Sequence, residues 1–463
     1  MILLKSNQNT DFSFGPVWRR IVAQAIPLTL AQLVHLLYNI VDRIYIGHMD
    51  VQSSLALTGL GLTFPVVTLV MAFTALFGNG GVPLFSIARG EGNDQKASRI
   101  MQHSFILLMI ASLILTFFCY MFCRPILFAF GAGETSYKFA EEYLTVYLTG
   151  TLFSMISTGM NGYINAQGFP KIGMMSIMLG ALMNLALDPV FIFVFDLGVR
   201  GAALATVISQ AISAGWVMLF LFSKRALIPL RLKNCRLDWA TTKAILKMGT
   251  SNFVMQGTTC LVQVACNTTL QIFGGELYVG IMTVVNSIRE ILMLPVSGIV
   301  TGAQPVIGYN YGAKRYERVR AGIRFNTAVG VVYTLLAWAV VFVFTRFWFD
   351  LFSDDPQLAN EGIKMLHIYF FGFVFMALQF AGQSTFQAVG DAKHAIIFSL
   401  LRKAIIVVPL TLILPHMGLG VAGVFVAEPI SNVIGSVACY VTMRLTVYKD
   451  LTKKIHNEKE KVL

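Results

Sequence analysis

Long apolar runs alternate with short polar breaks along the whole of this 463-residue chain. Crossing about 30 Å of hydrocarbon takes about 20 apolar residues at about 1.5 Å rise per residue. On that measure the pattern predicts twelve spans. They fall near 17–46, 55–82, 100–123, 140–165, 172–195 and 200–222, then near 244–273, 278–300, 319–345, 361–388, 395–416 and 418–445. The predicted fold class is an all-α integral membrane protein with 12 transmembrane helices. Several spans carry polar residues. The seventh holds Gln256, Gln263 and Asn267, which suits a face turned to an interior cavity rather than to lipid. The first 15 residues are polar and mixed, with no small-residue cleavage site after them, so the run from Val17 reads as a first span and not as a cleaved leader.

Composition agrees with this reading. Apolar residues make up 56 % of the chain and charged residues 13 %, with a mean hydropathy of +0.69. A soluble domain has roughly 45–50 % apolar and about 25 % charged residues, so lipid has to be part of the solvent here. A net charge of +12 in a soluble protein would raise nucleic acid as a partner. In this chain the basic residues sit between spans, and that points to membrane topology, with lipid and not nucleic acid as the partner. With the N-terminus in the cytoplasm, only six of the 35 Lys and Arg residues fall on outer segments, and Arg289 is read as the only one within a span. The inner segments include the stretch with Lys224, Arg225, Arg231, Lys233, Arg236, Lys243 and Lys247. The positive-inside rule then predicts a multi-pass protein of the cell membrane with both termini cytoplasmic, which needs an even number of spans. The polar tail 448–463 reads as a solvated end without order, and lipid-surface contact by Lys449, Lys453 and Lys454 is the competing reading. The six cysteines show no zinc-type spacing and read as plain thiols.

An internal repeat runs at a constant offset of 222 residues. Pro83 matches Pro305, Gly90 matches Gly312, and Gly168 and Lys171 match Gly390 and Lys393. Gly198, Val199 and Gly201 match Gly420, Val421 and Gly423, and Ala205 and Ser209 match Ala427 and Ser431. The predicted organisation is an N-lobe at 1–223, a basic cytoplasmic linker at 224–243, a C-lobe at 244–447 and a tail at 448–463. Two six-span lobes that enter from the same side are expected to be related by an axis along the membrane normal, with a substrate site between them.

Carboxylates inside spans are the candidate chemistry, because burying charge in lipid costs several kcal/mol. Asp188, Glu290 and Glu428 lie well inside spans, and Asp42 joins them if the first helix reaches Gly47. His35, Tyr38 and Asp42 are spaced i, i+3, i+7 and share a face of a helix that Pro27 is expected to kink. Asp42 fits either a cavity face or an interfacial position beside Arg43. Asn184 and Asp188 share a face at i, i+4, and Pro189 follows them. With Thr206, one turn beyond Ala202, and Asn161 they form half of a hard-cation site, or else bond neighbouring helices at small-residue contacts. Glu290 and Glu428 fit either structural ion pairs or a cavity that favours cations.

The runs YNIVDRIYIG, MNLALDPVFIF, NAQGFPK and GAQPVIGYNYGAK resemble those of the multidrug and toxic compound extrusion (MATE) family, and the resemblance extends from about Arg19 to Met443. It implies two six-helix lobes around a central cleft. It also implies exchange of cytoplasmic organic cations and drugs for Na⁺ or H⁺, with no cofactor beyond that coupling ion. On the family's N-lobe ion site, the helix 1 aspartate matches Asp42, the helix 5 asparagine and aspartate match Asn184 and Asp188, the helix 6 threonine matches Thr206 and the helix 4 asparagine matches Asn161. Asp42, Asn184, Asp188 and Thr206 would hold Na⁺. Pro27 matches the bending proline of helix 1, and Tyr38 matches a tyrosine near the site. Acidic residues carried by another branch in helices 7 and 10 have no counterpart in 250–273 or 365–388. Two complete lobes in one chain imply a working monomer.

The competing reading is a lipid-linked oligosaccharide or lipid flippase of related architecture, which would need several basic residues along its cleft; Arg289 alone argues against it. A channel fits a buried acidic pair less well than alternating access does. An enzyme is disfavoured by the lack of any His cluster, Ser/His/Asp set, HExxH or phosphate loop.

Overall fold

The computed structural model describes residues 11–47, 53–130, 133–232, 237–351 and 356–460. Every regular element among them is helical. In chain order these are α1 (Val17–Gly47), α2 (Ser53–Thr74), α3 (Gly81–Gly90), α4 (Asp94–Met121), α5 (Cys123–Ala129), α6 (Glu134–Thr149), α7 (Thr151–Ala166), α8 (Pro170–Pro189) and α9 (Gly198–Phe222). The second set is α10 (Trp239–Gly312), α11 (Tyr316–Val343), α12 (Thr345–Asp350), α13 (Pro356–Phe370), α14 (Met376–Ala388), α15 (Ala392–Leu400), α16 (Val408–Ile413), α17 (Gly420–Met443) and α18 (Lys449–Glu460). Among the described residues nine helices are long and apolar enough to cross a membrane, and the pair Pro356–Phe370 and Phe373–Ala388, bent by 42°, passes the same measure only when taken together. One of the nine is the 74-residue α10, which covers both the seventh and the eighth predicted spans. Gly275 interrupts it at φ 68°, ψ −164°, a conformation that glycine adopts without a Cβ penalty.

The chain forms two compact units. Among the described residues the first holds Ile26–Phe253, and the second holds Phe12–Ala25 and 254–460. The first unit therefore keeps the basic linker and the opening turns of α10, and the second keeps the opening turns of α1. Packing accounts for both. Ile245 is buried in the first unit's core with Ala226, Ile228 and Leu230 of the linker, around Met101, Leu108 and Tyr163. Phe12, Val17 and Ile21 are buried in the second unit with Val306, Ile323, Phe386 and Tyr448.

The 222-residue repeat is repeated in contacts. A Cβ on Gly150 would meet the Val207 side chain at 2.6 Å, and one on Gly372, its counterpart, would meet Pro429 Cα at 2.8 Å. Asn161 Nδ2 donates to Gly173 O at 3.1 Å, and its counterpart Gln383 Nε2 donates to Ala395 O at 3.2 Å. Gly80 and Gly302, also 222 apart, each take a backbone at near contact distance. Their Cβ positions lie 2.6 Å from Ile245 O and 2.7 Å from Ala25 N. These are small-residue crossings, where helices in lipid pack closely because the absent side chain lets backbones approach.

The tail departs from expectation. Residues 449–460 form α18, with Leu451 buried in the core that holds Phe12 and Val319, and Ile455, one turn on, buried as well. A polar segment is held in order here by a two-residue apolar stripe, and Lys454 Nζ pairs with Asp450 at 2.7 Å.

The linker ends on Asp238, which caps α10. Its carboxylate accepts from Thr241 N at 3.0 Å, Thr241 Oγ1 at 2.9 Å and Ala240 N at 3.2 Å, and these bonds hold its carboxyl below the ordinary carboxylate range. Its own N–H donates to Nε2 of the buried His103 at 2.8 Å, while Nδ1 of that ring lies 2.8 Å from Arg99 O. A depressed carboxyl adds stability that is present above its unfolded pKa and is lost as pH falls through the folded value. Hydrogen exchange is therefore expected to show Ala240 and Thr241 protected at neutral pH and deprotected in acid below the usual carboxylate range. In Asp238→Ala the protection should be missing at neutral pH too.

Candidate functional site

In the first unit, α8 begins with Pro170 at its first position, where the missing N–H costs nothing, and ends at Pro189, beyond which Val190–Val194 widen into a π-helical turn. Asn184 and Asp188 occupy the last full turns before that proline and are 2 % and 1 % exposed. Asn184 Nδ2 donates to Asp188 Oδ1 at 3.1 Å and to Thr206 Oγ1 of α9 at 3.4 Å. The Thr206 hydroxyl donates onward to Ala202 O at 3.0 Å. Asn184 Oδ1 accepts no hydrogen bond among the described residues. The cluster is thus a set of buried oxygens: a carboxylate, an amide oxygen without a donor, a hydroxyl and a carbonyl. Such all-oxygen sets suit hard cations or a proton, not thiolate- or imidazole-seeking metals. Among the described residues no group of three His, Cys, Asp or Glu is arranged to hold a metal.

The other expected site residues divide. Asn161 is buried, but its hydrogen bonds go to Gly173 O and Ser176 Oγ, two turns or more before Asn184 on α8. Pro27 is buried inside an α1 that continues from Val17 to Gly47. His35 and Tyr38 meet edge to face at 4.9 Å, with Tyr38 Oη 3.4 Å from His35 Nε2. The Asp42 backbone belongs to α1, and its side chain lies outside what is described.

The second unit has a polar cavity of about 80 Å³ lined by Gln263, Asn267, Asn286, Arg289, Tyr369, Lys403 and Glu428, with Glu290 at its exposed edge. Here the expectation of one basic residue within spans is corrected. Arg402 and Lys403 lie inside the apolar segment Ala392–Met417 and are 8 % and 7 % exposed. Both belong to the π-helical turn Leu401–Val407 that precedes Pro409, a residue with no N–H to return to the chain. Glu428 Oε1 lies 3.4 Å from Lys403 Nζ, 3.7 Å from Arg402 Nη2 and 3.8 Å from Arg289 Nη1. Arg402 is further tethered by donating to Asn432 Oδ1 at 2.6 Å. Glu428 therefore has the paired role, and it also faces a cavity. The repeat offered a signal for this site, because Glu428 stands 222 residues after Thr206. The same scaffold position holds a hydroxyl beside a carboxylate in one unit and a carboxylate among cations in the other.

Apolar membrane-length helices, a duplicated scaffold and a buried polar cluster in each unit define a polytopic membrane protein with internal sites of opposite character. The chain belongs to the MatE family, whose sequence profile matches residues 27–190 and 253–413. It is 24 % identical over 453 residues to the multidrug export protein MepA of Staphylococcus haemolyticus, covering 96 % of this chain and 98 % of that one. MepA of Staphylococcus aureus strain NCTC 8325 is also 24 % identical, covering 96 % of each chain. A MATE crystal structure in the bent conformation superposes with a TM-score of 0.90 at 24 % identity, over 96 % of this chain and 98 % of that one, so the folds are the same.

Proposed function

We propose that this protein is a multidrug efflux antiporter of the cell membrane. It works as a monomer with both termini cytoplasmic and exports amphiphilic organic compounds, organic cations among them, against inward movement of Na⁺ or H⁺. The buried oxygen cluster Asn184–Asp188–Thr206 carries the reading, and the similarity to multidrug export proteins supports it. Asp42 would bring a second carboxylate to the same pocket. Two carboxylates in one low-dielectric site repel, and a shared proton or one Na⁺ relieves the repulsion. Occupancy would then change how α1 bends at Pro27 and so lower the affinity for the exported compound. A ligand shifts a conformational equilibrium only by its differential affinity for the two states, so the ion must leave when the site reopens to the cytoplasm.

Ethidium efflux from proteoliposomes tests this, with the Na⁺ gradient and the pH gradient imposed one at a time. Efflux driven by one gradient and stopped when an ionophore collapses it is the expected result, and it names the coupling ion. No efflux under either gradient from well-folded protein would refute the antiporter reading.

A further inference from the structure

The cavity of the second unit is lined by two basic side chains, Arg289 and Lys403, which a site built only for cations would not need. Arg289, Arg402 and Lys403 share one carboxylate oxygen, Glu428 Oε1, and their side chains are 18 %, 10 % and 9 % exposed. Three cations against this one buried carboxylate leave an excess of two positive charges. Glu290, at the exposed edge, offsets one of them. The other polar lining groups, among them Gln263, Asn267, Asn286 and Tyr369, are neutral donors and acceptors, and Val262, Met282, Val407 and Val424 make the rest of the wall apolar. Among the described residues this leaves one formal positive charge more than negative, and Arg402, which stands behind the cavity lining, supplies it in a helix bundle where unpaired charge is costly. Arg402 is held back by Asn432, whereas Arg289 and Lys403 line the open space. A water needs about 10–15 Å³ of such volume, so a cavity of about 80 Å³ takes one small charged group with a few waters, not a whole drug.

We propose that this cavity is an oxyanion subsite. It receives a single carboxylate or phosphate group between Arg289 and Lys403, in competition with Glu428, and it extends the exported compounds to those bearing one such group. The transport part of this inference rests on the efflux reading; the binding part does not.

The test uses the purified full chain and three probes of one shape: 1-naphthoate, 1-naphthamide and 1-naphthylmethylammonium, titrated by fluorescence without any ion gradient. Naphthoate should bind at least about tenfold more tightly than the other two, since hydrogen bonds to charged groups carry that much selectivity. Arg289→Gln and Lys403→Gln should each erase the preference. Glu428→Gln, which removes the competing carboxylate, should tighten naphthoate binding several-fold, a gain that a misfolded protein could not give. Tighter binding of the ammonium probe to the wild type, or weaker naphthoate binding in Glu428→Gln, would overturn the proposal. Displacement of naphthoate by phosphatidylglycerol but not phosphatidylcholine in lipid nanodiscs supports the site and assigns it to a lipid headgroup. Naphthoate that resists both lipids supports it and assigns a soluble solute. Because no gradient is involved, failed efflux with intact naphthoate selectivity would count against the antiporter alone.

Discussion

Asp188→Asn should cut gradient-driven ethidium efflux by about 5–150-fold while leaving the protein in the membrane at wild-type level. The substitution keeps the shape of the side chain and an oxygen to accept from Asn184 Nδ2, 3.1 Å away, while it removes the charge and exchanges the second oxygen for an NH2 donor. Coupling between two ligands is a free energy of about 1–3 kcal/mol, or about 5–150-fold. An uncharged position 188 gives a cation or proton no differential affinity to work with, so efflux should fall by a factor in that range. Stability should not suffer, because a carboxylate that is 1 % exposed among membrane helices is itself costly to bury. Thermal melting adds a second readout. The wild type should gain stability when the coupling ion is added, and the variant should not respond. Wild-type efflux rates in a correctly inserted variant would remove Asp188 from the coupling role.

Gly249→Val is expected to be the most damaging single change to the scaffold. A Cβ at this position would lie 1.8 Å from Leu76 O and 2.6 Å from Leu76 C. These are backbone atoms that no rotamer change can move. Overpacking in cores costs about 1–3 kcal/mol even where side chains can yield, so a value at or above about 3 kcal/mol is expected here. The observable consequence is a lower melting temperature and little monodisperse protein on size exclusion. Gly257→Ala on the same helix is the matched control. A Cβ there meets nothing within 4 Å, and replacing a mid-helix glycine gains about 0.5–1 kcal/mol. The two substitutions should shift melting in opposite directions. Equal shifts would mean that helix propensity and not the crossing decides.

Much of this was legible in the sequence because it depends on period and type. Hydropathy marked the chain as all-helical and membrane-spanning without fixing the count of twelve, and the i, i+4 spacing of Asn184 and Asp188 is the contact the structure contains. The offset of 222 foretold the duplication. What escaped depends on averaging or on distance. Arg402 and Lys403 disappear into a segment whose flanking apolar residues are enough to make it read as a span in spite of two adjacent charges. Only the convergence of α10 and α17 on the same turn reveals that they share one carboxylate with Arg289. The buried apolar positions of α18 are Leu451 and Ile455, too few to stand out in a run of Lys and Glu. Gly80 and Gly302 are visible as a matched pair, but their meaning depends on which backbone passes over each.

Those two glycines bear on ancestry. Each unit is finished by the opening turns of the other half's first helix, with residues 12–25 completing the second unit and the segment up to Phe253 completing the first. The arrangement is that of a reciprocal domain swap, written into a single chain by duplication. A single-half precursor built on this plan could not have closed its own core as a monomer, and would have had to lend its first helix to a twin and borrow one in return. Fusion of two copies would make that loan permanent, and would leave the matched positions 206 and 428 free to differ, as the hydroxyl and the carboxylate there do.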